Sequence, residues 1–136
     1  MTTGTKAKIV VIDDDQDCAA LFASHLARHG YSVDMAFDGQ QAWNRVLERP
    51  PDLITLDYMM PNRTGLRFFR DLRSDRNLQH IPIVLITGIT MGGTKSKNIF
   101  SSSLRWGAPE GHLEKPVSAE RLVELINGLL STRSAS

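Results

Sequence analysis

The sequence predicts an α/β fold in which a parallel sheet is covered by helices on both faces. Two periodicities alternate along its 136 residues: short runs rich in β-branched side chains, and longer segments with helical spacing. Strand followed by helix, repeated five times, is the pattern that builds a parallel sheet buried on both sides. The five predicted strands are Lys8–Ile12, Tyr31–Ala36, Leu53–Leu56, Ile83–Thr87 and Gly111–Glu114.

The first two helices are indicated by apolar spacing and by end signals. Apolar residues recur with a helical period within Asp15–His29, and Gly30 follows as a stop signal. The same spacing recurs within Gly39–Glu48, before the pair Pro50 and Pro51. Proline cannot continue a helix, so the second helix is predicted to end there.

The later helices differ in how clearly the sequence marks them. Thr64 can cap a third helix, and Ser118 can cap a last one. The last helix has an apolar stripe at one-turn intervals, formed by Leu122, Leu125, Ile126, Leu129 and Leu130. Between them, Gly88–Ser103 is a polar stretch, for which we predict a loop and then a helix ending near Trp106.

Composition favours one globular domain. The length suits a single domain with its own core, and 41% of the residues are apolar. We predict a flexible N-terminus at 1–6, a domain at 7–130 and a flexible tail at 131–136. No apolar run is long enough to cross a bilayer, and the net charge of +1 does not favour nucleic acid. The single cysteine, Cys18, excludes an internal disulfide, so a cytoplasmic location is expected.

Arginine recurs at every third position after the third predicted strand, at Arg67, Arg70, Arg73 and Arg76. Such spacing could form a basic stripe on a helix. Asp71 and Asp75 are interleaved with these arginines, and we therefore interpret the segment as a solvated face.

Polar side chains collect where the predicted strands end. Asp13 and Asp14 follow the first strand, Asp57 follows the third, and Thr87 ends the fourth. Lys115 follows the fifth strand. The carboxyl ends of parallel strands share one edge of the sheet, where α/β folds bind their ligands.

The charges at this edge call for a cation. Crowded carboxylates repel each other unless a positive charge offsets them. Oxygen ligands from a few carboxylates, completed by water and phosphate, are what Mg²⁺ prefers. With Lys115, a divalent cation would balance the formal charge of Asp13, Asp14 and Asp57.

In its motifs the sequence resembles the response-regulator receiver family of two-component signalling. The matching motifs are Ile9-Val10-Val11-Ile12-Asp13-Asp14-Asp15, Leu56-Asp57-Tyr58-Met59-Met60-Pro61 with Gly65, Ile86-Thr87-Gly88 and Lys115-Pro116. The resemblance covers about residues 7 to 130. It implies a flavodoxin-like, doubly wound (βα)5 fold with strand order 2-1-3-4-5.

The resemblance also implies a role for each site residue. Asp57 would be the phosphoacceptor, with Mg²⁺ held by Asp13, Asp14, Asp57 and the backbone carbonyl of Met59. Thr87 would bind the phosphoryl oxygens, and Lys115 would pair with the phosphoryl group. The Lys115–Pro116 peptide would be cis.

The function that the resemblance implies is that of a phosphoacceptor switch, not a classical enzyme. A histidine kinase or a histidine phosphotransfer protein would donate the phosphoryl group to Asp57. The switch would then signal to a downstream protein or a fused output domain, without direct contact to nucleic acid or membrane.

Two features depart from the family pattern. The position on strand five that carries Tyr or Phe in many receivers is His112, which we expect to act as a switch residue with Thr87 or to remain a surface imidazole. The segment Gly88–Lys97 makes the region between Thr87 and Lys115 longer than is typical, and it could be a partner-specific lid or a tolerated insertion.

Three other functions share some features with this sequence. A haloacid-dehalogenase-type phosphatase needs a second Asp two residues after the nucleophile, and Met59 occupies that position. A nucleotide-binding domain needs a first loop that cradles phosphate, and Asp13, Asp14 and Asp15 would repel it. A receiver-like binding module that acts without phosphorylation remains the alternative.

Overall fold

The computed structural model describes residues 7–57, 64–87 and 109–135, which form a five-stranded parallel sheet and four helices. The strands are β1 (Lys8–Ile12), β2 (Ser32–Ala36), β3 (Leu53–Asp57), β4 (Ile83–Thr87) and β5 (Gly111–Glu114). The helices are α1 (Gln16–Arg28), α2 (Gly39–Glu48), α3 (Thr64–Ser74) and α4 (Ala119–Ala135). The predicted alternation of strands and helices is confirmed over the described residues, and the helix predicted between β4 and β5 lies outside them.

The strand order is β2-β1-β3-β4-β5, and every pairing is parallel. The predicted flavodoxin-like topology is therefore confirmed. Strand β1 lies between β2 and β3, so that Ile12 faces Ala36 on one side and Leu56 on the other. This register brings the ends of β1 and β3 side by side.

The core is split by the sheet into two apolar layers, because successive strand residues point to opposite faces. On one face, Val10, Ile54 and Leu85 pack under α2 and α3, which contribute Ala42 and Phe69. On the other face, the layer under α1 and α4 includes Ile9, Val11, Leu53, Phe22 and Ile126. Residues on both sides of β1 and β3 are buried, as a strand covered on both faces requires.

Helix ends follow the chemistry that the sequence indicated. Asp15 caps α1 by accepting hydrogen bonds from the backbone N–H groups of its first turn, and Gly30 follows that helix with φ of 93°. Ser118 caps α4, accepting from the backbone N–H of Arg121 at 3.0 Å. Asp38 caps α2, which the sequence reading did not anticipate. Thr64 is the first residue of α3 and lies one position inside the predicted start.

The prediction that the four arginines form a solvated face is wrong for Arg73. Its side chain is only 6% exposed and pairs with Glu110, whereas Arg67 and Arg70 are exposed and lie near Asp71. A three-residue repeat drifts by about 60° per step around a helix with 3.6 residues per turn. Arg73 is thereby turned away from Arg67 and toward the start of β5.

Some predictions fall outside the described residues. Met59, the segment Gly88–Lys97 and the helix end near Trp106 are among them. Helix α4 includes residues 131–135, part of the segment for which a flexible tail was predicted. Within the described ranges, none of the helices combines the length and the apolar character that a membrane crossing requires.

Candidate functional site

The buried carboxylates of the candidate site are Asp13 and Asp57, at the ends of neighbouring strands. Asp57 is the last residue of β3, and Asp13 directly follows β1. Only 2% of Asp13 and 3% of Asp57 is exposed. Carboxylates at such depth are uncommon unless they are paired or bind a cation.

Asp14 completes a cluster of three carboxylates. One oxygen from each of Asp13, Asp14 and Asp57 lies within 4.8 Å of the others. Unlike the other two, Asp14 is exposed, so the cluster opens toward solvent at this residue. The structure thus brings together the three carboxylates that the sequence grouped by their positions at strand ends.

The surroundings of Asp13 disfavour its charged form. Burial raises the pKa of Asp13 to about 6, and the neighbouring negative charge of Asp57 adds to the rise. A hydrogen bond from the backbone N–H of Asp15 to Asp13 Oδ1, 2.9 Å long, acts in the opposite direction. The charged form of Asp13 is therefore disfavoured, chiefly because the side chain is buried.

Lys115 brings a positive charge to the cluster from the end of β5. Its Nζ donates to Asp57 Oδ2 at 3.0 Å, across 58 residues of sequence. Burial acts to lower the pKa of Lys115, but the hydrogen bond to Asp57 and the charges of Asp57 and Asp13 outweigh it, so the pKa is raised. The Lys115–Pro116 peptide is cis, as the resemblance implied.

The donor set fits a magnesium ion. Three carboxylates and one ammonium leave two formal negative charges, which a divalent cation would balance. The ligand atoms are hard oxygens, and exposed Asp14 leaves an open side for water and phosphate. A cation bound there would also favour the charged form of Asp13, whose pKa is raised mainly by burial.

Of the three other predicted site residues, the structure describes His112, the backbone of Thr87 and no part of Met59. Thr87 ends β4 opposite Glu114, but its side chain lies outside the described part of the chain. Met59 falls in the gap between residues 57 and 64. His112 lies on β5 opposite Leu85 with its side chain exposed.

Cys18 lies next to the site, although the sequence pattern indicated only that it cannot form an internal disulfide. Burial raises the pKa of the Cys18 thiol to about 12, and the adjacent Asp13 carboxylate contributes. Cys18 also donates its backbone N–H to the Asp15 cap at 3.1 Å. Cys18 lies in the first turn of α1, directly after the acidic run 13–15, and this closeness in sequence could have predicted that it lies near Asp13.

The sequence model of the family described as "Response regulator receiver domain" matches residues 9–127. The chain belongs to this family. The matched range includes Asp13, Asp57 and Lys115, so the described cluster lies within the part of the chain that matches the receiver family.

Receiver domains of known structure and curated relatives resemble this receiver over nearly its whole length. The polar-differentiation response regulator DivK of Brucella ovis is 29% identical over 122 residues, covering 90% of this chain and 94% of DivK. The Francisella response regulator 1452 receiver domain superimposes with a TM-score of 0.77 at 26% identity, covering 95% and 99% of the two chains.

A second solved structure supports the same assignment. The receiver domain of NtrX from Brucella abortus has a TM-score of 0.75 and 29% identity, covering 91% of this chain and 98% of that domain. Together with the family match, these similarities show that the protein is a response regulator receiver domain of two-component signalling.

Proposed function

We propose that this receiver accepts a phosphoryl group on Asp57 and signals through the change of shape that follows. The observation that carries the proposal is the 3.0 Å ion pair between Lys115 and the buried carboxylate of Asp57. A lysine from the far end of the chain meets a carboxylate at the edge of the sheet where α/β folds bind ligands. The family, whose members typically are phosphorylated, supports the same assignment.

The chemistry is a direct transfer between two protein side chains. A carboxylate oxygen of Asp57 attacks the phosphorus of a phosphohistidine on a kinase or phosphotransfer protein. The new P–O bond forms as the P–N bond breaks, and the electron pair of the broken bond stays with the imidazole. The product is an acyl phosphate on Asp57.

The chain's own residues favour this transfer by position and charge. Lys115 lies within hydrogen-bonding distance of Asp57, so its ammonium can offset negative charge on the transferred oxygens. Asp13, Asp14, Asp57 and the backbone carbonyl of Met59 would hold Mg²⁺. When bound, this ion would supply further positive charge to the phosphoryl oxygens.

The switch that follows involves the ends of β4 and β5. The hydroxyl of Thr87 would bond to the acyl phosphate and bias an existing equilibrium between two arrangements. His112 lies on the neighbouring strand and would reorient with Thr87. If a His112→Phe variant kept its phosphorylation-dependent partner binding at every pH tested, a role for the imidazole in switching would be excluded.

The partners follow from the same chemistry. A histidine kinase or a histidine phosphotransfer protein would act as the donor, and a downstream protein or a fused output domain would receive the signal. We propose that residues 7–130 form the receiver, and that it acts in the cytoplasm.

The decisive experiment is phosphorylation by a small donor. The full chain is incubated with acetyl phosphate and Mg²⁺, and its intact mass is measured. We expect a mass gain of one phosphoryl group in the wild type and none in Asp57→Asn. Asp52→Asn is the matched control, because Asp52 is an exposed carboxylate that accepts the backbone N–H of Lys8 at 2.8 Å, away from the cluster.

Two results would contradict the proposal. Equal labelling of Asp57→Asn and the wild type would place the phosphoryl group elsewhere. A wild-type chain that takes no phosphoryl group, and whose amide NMR spectrum does not respond to beryllofluoride with Mg²⁺, would instead be a module that acts without phosphorylation.

A further inference from the structure

A groove lies between α2 and α3, on the face of the sheet opposite α1 and α4. Its volume is about 350 Å³, and it is lined by Gly39, Gln40, Trp43, Arg67, Phe68 and Asp71. This volume falls within the range of clefts that accept a side chain or a small ligand. None of these residues belongs to the phosphoacceptor cluster.

The floor of the groove is aromatic. The rings of Trp43 and Phe68 meet edge to face, with centroids 6.2 Å apart and planes at 80°. Phe68 is buried, whereas Trp43 is only partly buried and packs against the edge of the core. A partly exposed indole next to a groove offers an apolar surface and an N–H donor, the combination that is enriched at protein interfaces.

The apolar surface continues along α2 to Leu47. This side chain is 54% exposed. Residues four apart on a helix lie on the same side, about 6 Å from each other, so Leu47 extends the surface begun by Trp43. Among the large apolar side chains in the described part of the chain, only Leu21 on α1 is comparably exposed, at 53%. The two leucines therefore form a matched pair on opposite faces of the sheet.

The charge beside the groove is positive. Arg67 and Arg70 both approach Asp71, with N–O distances of 3.8 Å. One carboxylate is shared by two arginines, so one positive charge is in excess. Arg67 is 77% exposed, and an exposed ion pair of this length contributes little, so its guanidinium is available to another carboxylate.

We propose that this surface, formed by Trp43, Leu47, Arg67 and Phe68, binds an amphipathic helix of a protein partner. An aromatic side chain of the partner enters the groove beside Trp43, and an aliphatic side chain one turn away covers Leu47. A carboxylate of the partner faces Arg67. Anchors about 6 Å apart match positions i and i+4 of a helix, which is the spacing used when amphipathic helices bind in grooves.

The test uses a synthetic helix as the probe. An alanine-based peptide of about 18 residues, long enough to be helical, carries Phe, a Leu four positions later and a Glu one turn before the Phe. It is titrated into the full ¹⁵N-labelled chain. We expect saturable amide shifts confined to α2 and α3, with a dissociation constant on the order of 10–100 µM.

The control variants isolate the surface. Leu47→Ala should weaken binding about tenfold while preserving the helix, because alanine is the strongest helix former. Leu21→Ala, the matched exposed leucine on α1, should leave binding unchanged. A peptide with its Phe replaced by Ala should bind about tenfold more weakly, as the Leu47→Ala variant does. Arg67→Ala should reduce the dependence of the dissociation constant on salt concentration.

Three outcomes would overturn the proposal. The first is a peptide that produces no saturable shifts. The second is binding that Leu21→Ala weakens as much as Leu47→Ala does. The third is self-association of the chain, seen by light scattering and abolished by Leu47→Ala, because the occupant of the surface would then be a second copy of this protein.

Discussion

The carboxyl and amino ends of the strands differ in how completely their charged side chains are paired. At the carboxyl end, within residues 7–57, 64–87 and 109–135, Asp13, Asp14 and Asp57 gather near one cation, Lys115. At the amino end, the buried guanidinium of Arg73 meets the partly exposed carboxylate of Glu110 and two backbone carbonyls. One end is left short of positive charge, and the other is balanced within the fold.

The amino end joins three elements through Arg73. Its guanidinium donates to the carbonyls of Gln79 and Ile81 at 3.0 and 3.2 Å, and to Glu110 Oε1 at 2.7 Å. The same Glu110 oxygen accepts the backbone N–H of Ile83 at 2.7 Å. The guanidinium also lies 5.2 Å from the centroid of the Phe69 ring. Helix α3 and the starts of β4 and β5 are thus tied together.

This difference indicates that the amino end contributes to stability and the carboxyl end to ligand binding. Charges that are fully paired in the fold contribute to stability and have little left to offer a ligand. Like charges that repel one another reduce stability, but they can bind a ligand of opposite charge, here a cation. We therefore expect substitutions at the two ends to change stability with opposite signs.

The largest effect is expected at the amino end. Arg73→Ala should lower the free energy of unfolding by about 3 kcal/mol, because it removes a buried guanidinium that donates to Glu110 and packs against the Phe69 ring. The carbonyls of Gln79 and Ile81 would lose their donor as well. Urea denaturation followed by circular dichroism measures the change.

Arg70→Ala is the control for this prediction. Arg70 is on the same helix but is half exposed, and its contact with Asp71 spans 3.8 Å. Its removal should cost no more than about 0.5 kcal/mol. If the two variants unfolded at the same urea concentration, the amino end would not be the stabilising one.

The carboxyl end should respond in the opposite direction. Asp13→Asn removes a buried charge and keeps an oxygen that can accept the backbone N–H of Asp15. In the absence of Mg²⁺ and at pH 7, we expect the variant to be more stable by about 2 kcal/mol. The rise of about two pKa units corresponds to about 3 kcal/mol, and burial of the new amide N–H₂ group offsets part of that gain. Urea denaturation at several pH values measures the difference.

The pH dependence has a definite sign. The pKa of Asp13 is raised from 3.8 to about 6 in the fold, so the folded state binds more protons than the unfolded state between these values. The stability of the wild type should fall as pH rises through this window, and the advantage of Asp13→Asn should be absent below it. Asp14→Asn, at the exposed carboxylate, should show a smaller gain. An advantage of Asp13→Asn that persisted below pH 3.8 would rule out the charge as its cause.

The fold and the cluster could be predicted because local patterns determine them. β-branched runs, helix caps and prolines mark the elements, and a parallel sheet brings strand ends to one edge. Asp13, Asp57 and Lys115 stand at strand ends in the sequence, and the structure brings them together.

The pairing of Arg73 with Glu110 could not be predicted in the same way. The two residues are 37 positions apart, and neither lies in a motif. Whether an arginine is solvated or buried depends on the angle at which its helix packs, and a three-residue spacing does not fix that angle. Leu47 is a similar case, because the pattern that buries Val46 leaves its neighbour exposed.

The smallest effect that we expect, and the one that links the two ends, is stabilisation by magnesium. Mg²⁺ at about five times its dissociation constant should raise the free energy of unfolding of the wild type by about 1 kcal/mol, because only the folded chain gathers the carboxylates. Asp13→Asn should lose most of this gain. Arg73→Ala should keep it, since Arg73 lies at the opposite end of the sheet from the carboxylates. Sodium chloride at matched ionic strength controls for screening. An equal gain in wild type and Asp13→Asn would mean that the ion acts elsewhere, and the contrast between the two ends would then not extend to metal binding.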